Sequence, residues 1–132
     1  MKKYQGREIV YWGLFVSDGV YECNKARHNF KRITDCHITF GYNPSETDEI
    51  PFDLLGKEFE IAVTGYGMDE KAAGLRVEIP DELKKYYRGA KNVHITTSIS
   101  EIGRPVDTGN IKEWKDCCKW YLKGKLGLRL KK

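Results

Sequence analysis

The sequence lacks any apolar segment that approaches the length needed to cross a membrane. Its N-terminal segment, MKKYQGREIVYWG, carries charges but not the continuous apolar stretch of a secretory signal peptide. It also lacks a low-complexity or Ser/Gly-rich linker that would separate two domains. We therefore expect a single domain over residues 1–132, located in the cytoplasm.

Cysteine and histidine are both scarce, with 4 Cys and 3 His in 132 residues. In a cytoplasmic protein the cysteines are expected to be reduced thiols, and these are Cys23, Cys36, Cys117 and Cys118. A metal site is one alternative, formed by Cys23, His28, Cys36 and His37, but its spacing matches no standard zinc pattern. Alternation along a strand would also direct Cys36 and His37 to opposite faces. We expect no metal and no other cofactor.

The excess of one charge is small, with 23 Lys and Arg against 19 Asp and Glu, which gives a net charge of +4. This bias favours anionic ligands over cationic ones, but it does not identify a nucleic-acid-binding protein by itself. A hydrophobic content of 40% is typical of a folded protein and excludes the disordered class.

Alternation of apolar and polar residues predicts short strands separated by turns. The strands are expected at 8–17, 35–42, 58–67, 75–80, 91–100 and 122–132. Short helices are predicted at 80–89 and at 111–122, where Ile111, Trp114, Cys118 and Tyr121 have helical spacing; Asp18 is a third, weaker helix start. Few helices and many hairpin-type turns indicate an antiparallel α+β fold.

The tripeptide His-Ile-Thr occurs twice, at 37–39 and 94–96. On a strand, His37 and Thr39 would share one face about 7 Å apart, and so would His94 and Thr96. Two imidazoles can divide the acid and base work of phosphodiester cleavage, and hydroxyls can donate hydrogen bonds to the phosphate oxygens. For this composition, two such His-x-Thr pairs are expected by chance in about 1% of sequences.

Two His-x-Thr strands in a small α+β protein resemble the 2H phosphoesterase superfamily, and most of all the cyclic phosphodiesterase domain of fungal-type tRNA ligases. The similar segments are HITF, VHITTSISEIGRPVDTGNI, VTGYGMDEKAAGLRVEIP and LKGKLGLRL. The resemblance implies two antiparallel lobes related by a pseudo-twofold axis around a central groove. It also implies that His37 and His94 are the acid/base pair and that Thr39 and Thr96 bind phosphate.

The predicted activity is metal-independent hydrolysis of a 2′,3′-cyclic phosphate or a related phosphodiester of RNA or nucleotides. The expected partners are RNA with a cyclic phosphate end, or a cyclic nucleotide or oligonucleotide, with no membrane and no obligate protein partner. Weaker candidates for substrate contact are aromatic residues that could stack on a base and basic residues that could reach phosphate, namely Trp12, Phe40, Tyr42, Tyr66, Lys71 and Arg104.

Two alternative functions remain open at this point. One is a phage-type nuclease that degrades cyclic oligonucleotide signals, which keeps the chemistry and changes the substrate. The other is a non-catalytic RNA-binding module, which would bind RNA in a salt-sensitive way without turnover. The sequence has no aromatic motif of the RRM type, which weighs against the second alternative.

Overall fold

The computed structural model describes residues 1–16, 30, 32–33 and 36–132. These residues form mostly antiparallel sheet with a few short helices, all of them 3₁₀ helices, as the sequence predicted for the α+β class. The predicted helix start at Asp18 lies outside the described residues. In chain order the elements are β1 (Lys3–Tyr4), β2 (Arg7–Val16), β3 (Arg32–Ile33), β4 (His37–Tyr42), η1 (Phe52–Leu54), β5 (Glu58–Met68), β6 (Ala72–Glu78), η2 (Asp81–Tyr86), β7 (His94–Ile99), η3 (Pro105–Asn110) and β8 (Trp114–Leu130).

The strands of the described chain form one sheet in which every pairing is antiparallel. The strand order is β1-β2-β8-β5-β6-β7-β3, and β4 pairs with β2. The long strand β8 holds the sheet together, because it pairs with β5 along its first part and with β2 along its last part. Strands β4 and β7 stand far apart in this order, yet they contact each other. The sheet must therefore curve until these two strands meet.

The concave side of this curved sheet holds the main hydrophobic core, and it collects the residues that alternation predicted to point inward. Full burial of such a side chain contributes roughly 1.5–3 kcal/mol. The predicted inward residues that are buried in one cluster are Cys36, Ile38, Phe40, Phe59, Ile61, Val63, Leu75, Val77, Ile79 and Ile95. The inward faces of these strands were therefore predicted correctly, and so was the hairpin formed by β5 and β6.

The helix predicted at 111–122 is wrong, because residues from Trp114 onward belong to strand β8. This segment pairs with β5, and the pairing is interrupted by an irregularity opposite Thr64, between Asp116 and Trp120. Cys118 and Tyr121, two residues of the predicted helical face, are exposed, so the apolar spacing did not mark a buried face. The helix predicted at 80–89 is present as the shorter η2.

The prediction that all cysteines are reduced is wrong for Cys36, which is disulfide-bonded, whereas Cys117 and Cys118 are free thiols. The reason is spatial: cysteine spacing along a chain does not reveal which thiols meet in the fold. The bonded Cys36 is buried and directly precedes β4. In the described part of the chain, the helices are all too short and too polar to cross a lipid bilayer.

Candidate active site

The first His-Ile-Thr motif begins strand β4, which lies closely against β2. Ile38 is buried in the core, whereas His37 and Thr39 are half-buried on the opposite face of the strand. Gly13 faces Thr39 across the strand pair, and a side chain at this position would collide with the Ile38 carbonyl oxygen. The absence of a Cβ at Gly13 therefore lets β2 hold the motif strand at short range.

The imidazole of His37 is held among aromatic rings from β2. Its centroid lies 4.9 Å from the Tyr11 ring at an interplanar angle of 15°, and 5.5 Å from the Phe15 ring at 28°. Stacking of this kind fixes the ring in a defined orientation. Sequence reasoning missed Tyr11 and Phe15, although their alternation with the buried Trp12 and Leu14 was a usable signal.

The second motif begins strand β7, where Ile95 is buried in the same core as Ile38. The His94 ring is half-buried, and its Nδ1 lies 2.8 Å from the carbonyl oxygen of Asn92. Since a carbonyl only accepts, Nδ1 carries the proton and donates it, which leaves Nε2 with its lone pair in the neutral ring. Burial lowers the pKa of His94, and the hydrogen bond to Asn92 opposes that shift only in part.

This lowered pKa predicts a loss of stability in acid. The unfolded chain takes up a proton at His94 as the pH falls below the ordinary value of 6.5, before the folded chain does. The free energy of unfolding is therefore expected to decrease as the pH falls below that value, until the folded-state pKa is passed. Urea unfolding of the wild type and of His94→Gln, followed between about pH 8 and pH 5, checks this. Parallel pH profiles for the two proteins would contradict it.

The hydroxyl of Thr96 points into the contact between β7 and η3 and not into open solvent. It lies 3.0 Å from the Pro105 carbonyl oxygen, to which it donates, and 2.8 Å from the Thr108 hydroxyl. Helix η3 begins where the Arg104 backbone N–H donates to the Asp107 carboxylate at 2.8 Å. The sequence predicted no helix here, although a proline in the first turn was a usable signal.

The two motif strands meet on one side of the molecule. Ile38 and Ile95 anchor both strands in a single core, so each His-Thr pair lies on the face of the sheet that points away from that core. Strands β4 and β7 contact each other, and the segment that leads into β7 crosses the end of β4. There the Arg88 backbone N–H donates to the Phe40 carbonyl oxygen at 2.8 Å. Strands β4 and β7 are therefore neighbours without a hydrogen-bonded strand pair between them.

The weaker candidates for substrate contact are dispersed. Phe40 and Trp12 are 0% and 2% exposed and pack on each other in the core, so neither ring offers a face to a ligand. Tyr42 is 68% exposed and lies on β4, while Tyr66 is half-buried against the core. The outcome is that Tyr42 alone among these four rings is well exposed beside the first motif.

The two basic candidates, Lys71 and Arg104, are exposed on neighbouring loops. Lys71 precedes Ala72, which pairs with Ile99 at the opposite end of β7 from His94. A distance of five strand residues corresponds to about 16 Å. The Lys71 backbone is therefore remote from the His94 ring, and Arg104 belongs to the turn that begins η3.

A small open pocket lies beside the core on the other side of Trp12, and it is not lined by any of the four motif side chains. Its walls are formed by Trp12, Gly41, Thr47, Asp48, Glu49, Tyr86 and Arg88. Its two carboxylates outnumber its one guanidinium, Arg88, which donates to the carbonyl oxygens of Lys85 and Tyr87, so the lining as a whole disfavours a phosphate group. The pocket is therefore a poor site for the predicted substrate, and the motif face is the better one.

The alternative of a metal site formed by Cys23, His28, Cys36 and His37 is not supported by the position of Cys36. That thiol is disulfide-bonded and buried, whereas the neighbouring His37 lies on the opposite face of its strand. The other two proposed ligands, Cys23 and His28, lie outside the described residues. Among the residues that are described, no group of three or more potential metal ligands comes together.

No protein-family model matches the chain, and no curated protein is significantly similar to it. The case for a function therefore depends on the motif residues and on their arrangement.

Proposed function

We propose that the protein is a metal-independent phosphodiesterase that hydrolyses a 2′,3′-cyclic phosphate, or a related phosphodiester of RNA or nucleotides. The observation that carries this proposal is the contact between β4 and β7, the two strands that bear His-Ile-Thr, with both His-Thr pairs facing away from the core. In this proposal the protein has the two-lobed arrangement of 2H phosphoesterases, and the substrate binds where β4 and β7 adjoin, in the role of the central groove.

His94 is the general base of the proposed reaction. Its Nδ1–H is held by the Asn92 carbonyl oxygen, so that Nε2 is the atom free to take a proton. Burial lowers the pKa of this imidazole, which keeps it neutral near pH 7. Nε2 removes a proton from the attacking water while the water oxygen bonds to phosphorus.

His37 is the general acid. Its ring is held by Tyr11 and Phe15 on the same strand face as Thr39, and in the imidazolium form it can donate a proton. As the bond between phosphorus and one ribose oxygen breaks, that oxygen takes the proton from His37. The products are a phosphate monoester and a free hydroxyl, and transfer of one proton from His94 to His37 through solvent restores the starting state.

Thr39 and Thr96 bind the non-bridging phosphate oxygens, which carry the negative charge of the transition state. Thr39 is half-buried beside His37 and offers its hydroxyl from the same face. Thr96 reaches phosphate only by exchanging its hydrogen bond to the Pro105 carbonyl oxygen, while Thr108 remains as its second partner. Thr39 is therefore the stronger phosphate donor of the two.

Cytoplasmic location is part of this proposal, and the state of Cys36 tests it. Disulfides are rare in the cytosol and common in oxidising compartments. The disulfide at Cys36 therefore weighs against a cytoplasmic location. Alkylation of the protein in freshly lysed cells, before any exposure to air, tests the location directly. A Cys36 that is labelled without reductant would support a cytoplasmic location, and a Cys36 that is labelled only after a reductant is added would contradict it.

The activity is tested with chelator-treated protein and three substrates: nucleoside 2′,3′-cyclic phosphates, RNA that ends in a cyclic phosphate, and cyclic oligonucleotides. We expect a monoester product from at least one of the first two substrates, with no requirement for added metal. Turnover of cyclic oligonucleotides alone would favour the phage-type nuclease instead. Salt-sensitive RNA binding with no product from any substrate would reject the enzyme and leave an RNA-binding module.

A further inference from the structure

The outward face of β4, β2 and β8 combines aromatic and basic side chains in a regular arrangement. The cross-strand register places its residues in three rows. We call these nine positions the aromatic–basic face: Tyr42, Tyr11 and Arg129 in the first row, Thr39, Gly13 and Gly127 in the second, and His37, Phe15 and Lys125 in the third. The first and third rows carry the large side chains, and the middle row is nearly bare.

The aromatic rings converge over this bare middle row. The centroids of Tyr11 and Phe15 are 6.0 Å apart at an interplanar angle of 24°, although four residues separate them along β2. Gly127 provides the room, because a Cβ at this position would lie 2.9 Å from a Phe15 ring carbon. Together with His37, these rings form a near-parallel aromatic group of half-buried side chains on the outward face of the sheet.

Positive charge borders this aromatic group. The Arg129 guanidinium lies 5.9 Å from the centroid of Tyr11, and its Nε–H donates to the Tyr11 hydroxyl at 3.3 Å. Lys125 is exposed, and its cross-strand neighbour on β5, Glu58, pairs with Lys123 at 3.9 Å and not with Lys125. None of the nine positions carries a carboxylate. Stacking faces beside cations suit a chain of bases joined by phosphates better than they suit a protein or a lipid.

We propose that the aromatic–basic face binds single-stranded nucleic acid, with bases stacked on Tyr11 and Phe15 and phosphates held by Lys125 and Arg129. His37 and Thr39 belong to the same face, so this inference rests on the proposed function. It identifies the substrate of that reaction as a nucleic acid strand and not as a free mononucleotide. The strand would lie over the stacked rings and present its terminal phosphate to His37.

The test is fluorescence anisotropy with a labelled single-stranded oligouridylate of about eight nucleotides that ends in an uncleavable 3′-phosphate. Loss of one stacking ring, in Tyr11→Ala or Phe15→Ala, is expected to weaken binding by about 5- to 100-fold. Tyr11→Phe and Phe15→Tyr keep a ring and are expected to retain binding, which separates stacking from a folding defect. Lys125→Gln is expected to weaken binding and reduce its dependence on salt.

Tyr121→Ala is the matched control, since Tyr121 is 55% exposed on β8 but lies outside the nine positions. Binding that is insensitive to Tyr11→Ala and Lys125→Gln, or equally sensitive to Tyr121→Ala, would overturn the proposed surface. Equal affinity for a duplex of the same length would also overturn it. If the face binds the oligonucleotide specifically but the protein turns over no cyclic phosphate, the proposed enzyme is rejected and the proposed binding surface stands. If the protein turns over a cyclic phosphate but the ring variants bind as the wild type does, only the proposed binding surface is rejected.

Discussion

Replacing either motif histidine by alanine is expected to lower the turnover of a 2′,3′-cyclic phosphate by about 10²- to 10⁴-fold. His94→Ala removes the group whose Nε2 accepts the proton of water, and His37→Ala removes the group that protonates the leaving oxygen. Both act on proton transfer and little on binding, so kcat is expected to fall more than KM rises. Because the two act as a unit, the double variant is expected to lose little beyond the larger single loss.

The pH profile distinguishes this mechanism from a structural role of the histidines. The acidic limb of kcat/KM is expected to follow the pKa of His94, which burial places below its ordinary value of 6.5, and to disappear in His94→Ala. The third histidine provides the control, since His28 belongs to neither motif, and His28→Ala is expected to change turnover by less than about twofold. Turnover that survives both motif substitutions in a folded protein would remove the proposed mechanism.

Strands with clear alternation were predictable because burial on one face acts on residues at a period of two. Ile38 and Ile95 were expected to anchor the two motif strands, and both are buried in one core. The same reasoning predicted the inward faces of the β5–β6 hairpin. In each case the alternation of apolar and polar residues was enough to predict the strand and its buried face, because burial of one face requires apolar residues at every second position.

Strand β8 shows where local patterns fail. In its first part the apolar residues at helical spacing do not share a buried face, since Cys118 and Tyr121 are exposed. Only the pairing with β5, which lies at Glu58–Met68 and thus far earlier in the chain, determines that this segment is a strand. The contact between β4 and β7 has the same origin, since it follows from the curvature of the whole sheet.

The candidate site was predictable in its residue types but not in its surroundings. The repeated His-Ile-Thr was visible in the sequence, whereas the rings that hold His37 were not identified. The faces of β2 could be assigned from its alternation, yet placing Tyr11 and Phe15 against His37 requires the register between β2 and β4. The burial of Thr96 under η3 likewise depends on how a turn-forming segment folds back onto β7.

Trp12→Ala is expected to reduce the free energy of unfolding by about 3–5 kcal/mol. The indole is 2% exposed, and its centroid lies 5.1 Å from that of Phe40 at an interplanar angle of 52°, so its removal leaves a cavity between β2 and β4. Urea unfolding measures the loss. Since small domains have only about 5–15 kcal/mol of stability, Trp12→Phe provides a milder variant that keeps a ring and is expected to lose less.

Tyr121→Ala is the control for this experiment as well, because that exposed side chain is expected to change stability by no more than about 0.5 kcal/mol. The sequence alone placed Trp12 among the residues that could stack on a substrate base. A core role and a stacking role for Trp12 predict opposite effects of Trp12→Ala on stability and on RNA binding. A core residue costs stability with or without ligand, whereas a stacking residue leaves the free protein stable and weakens RNA binding. A loss below about 1 kcal/mol together with weakened binding would contradict the core role and return Trp12 to the binding surface.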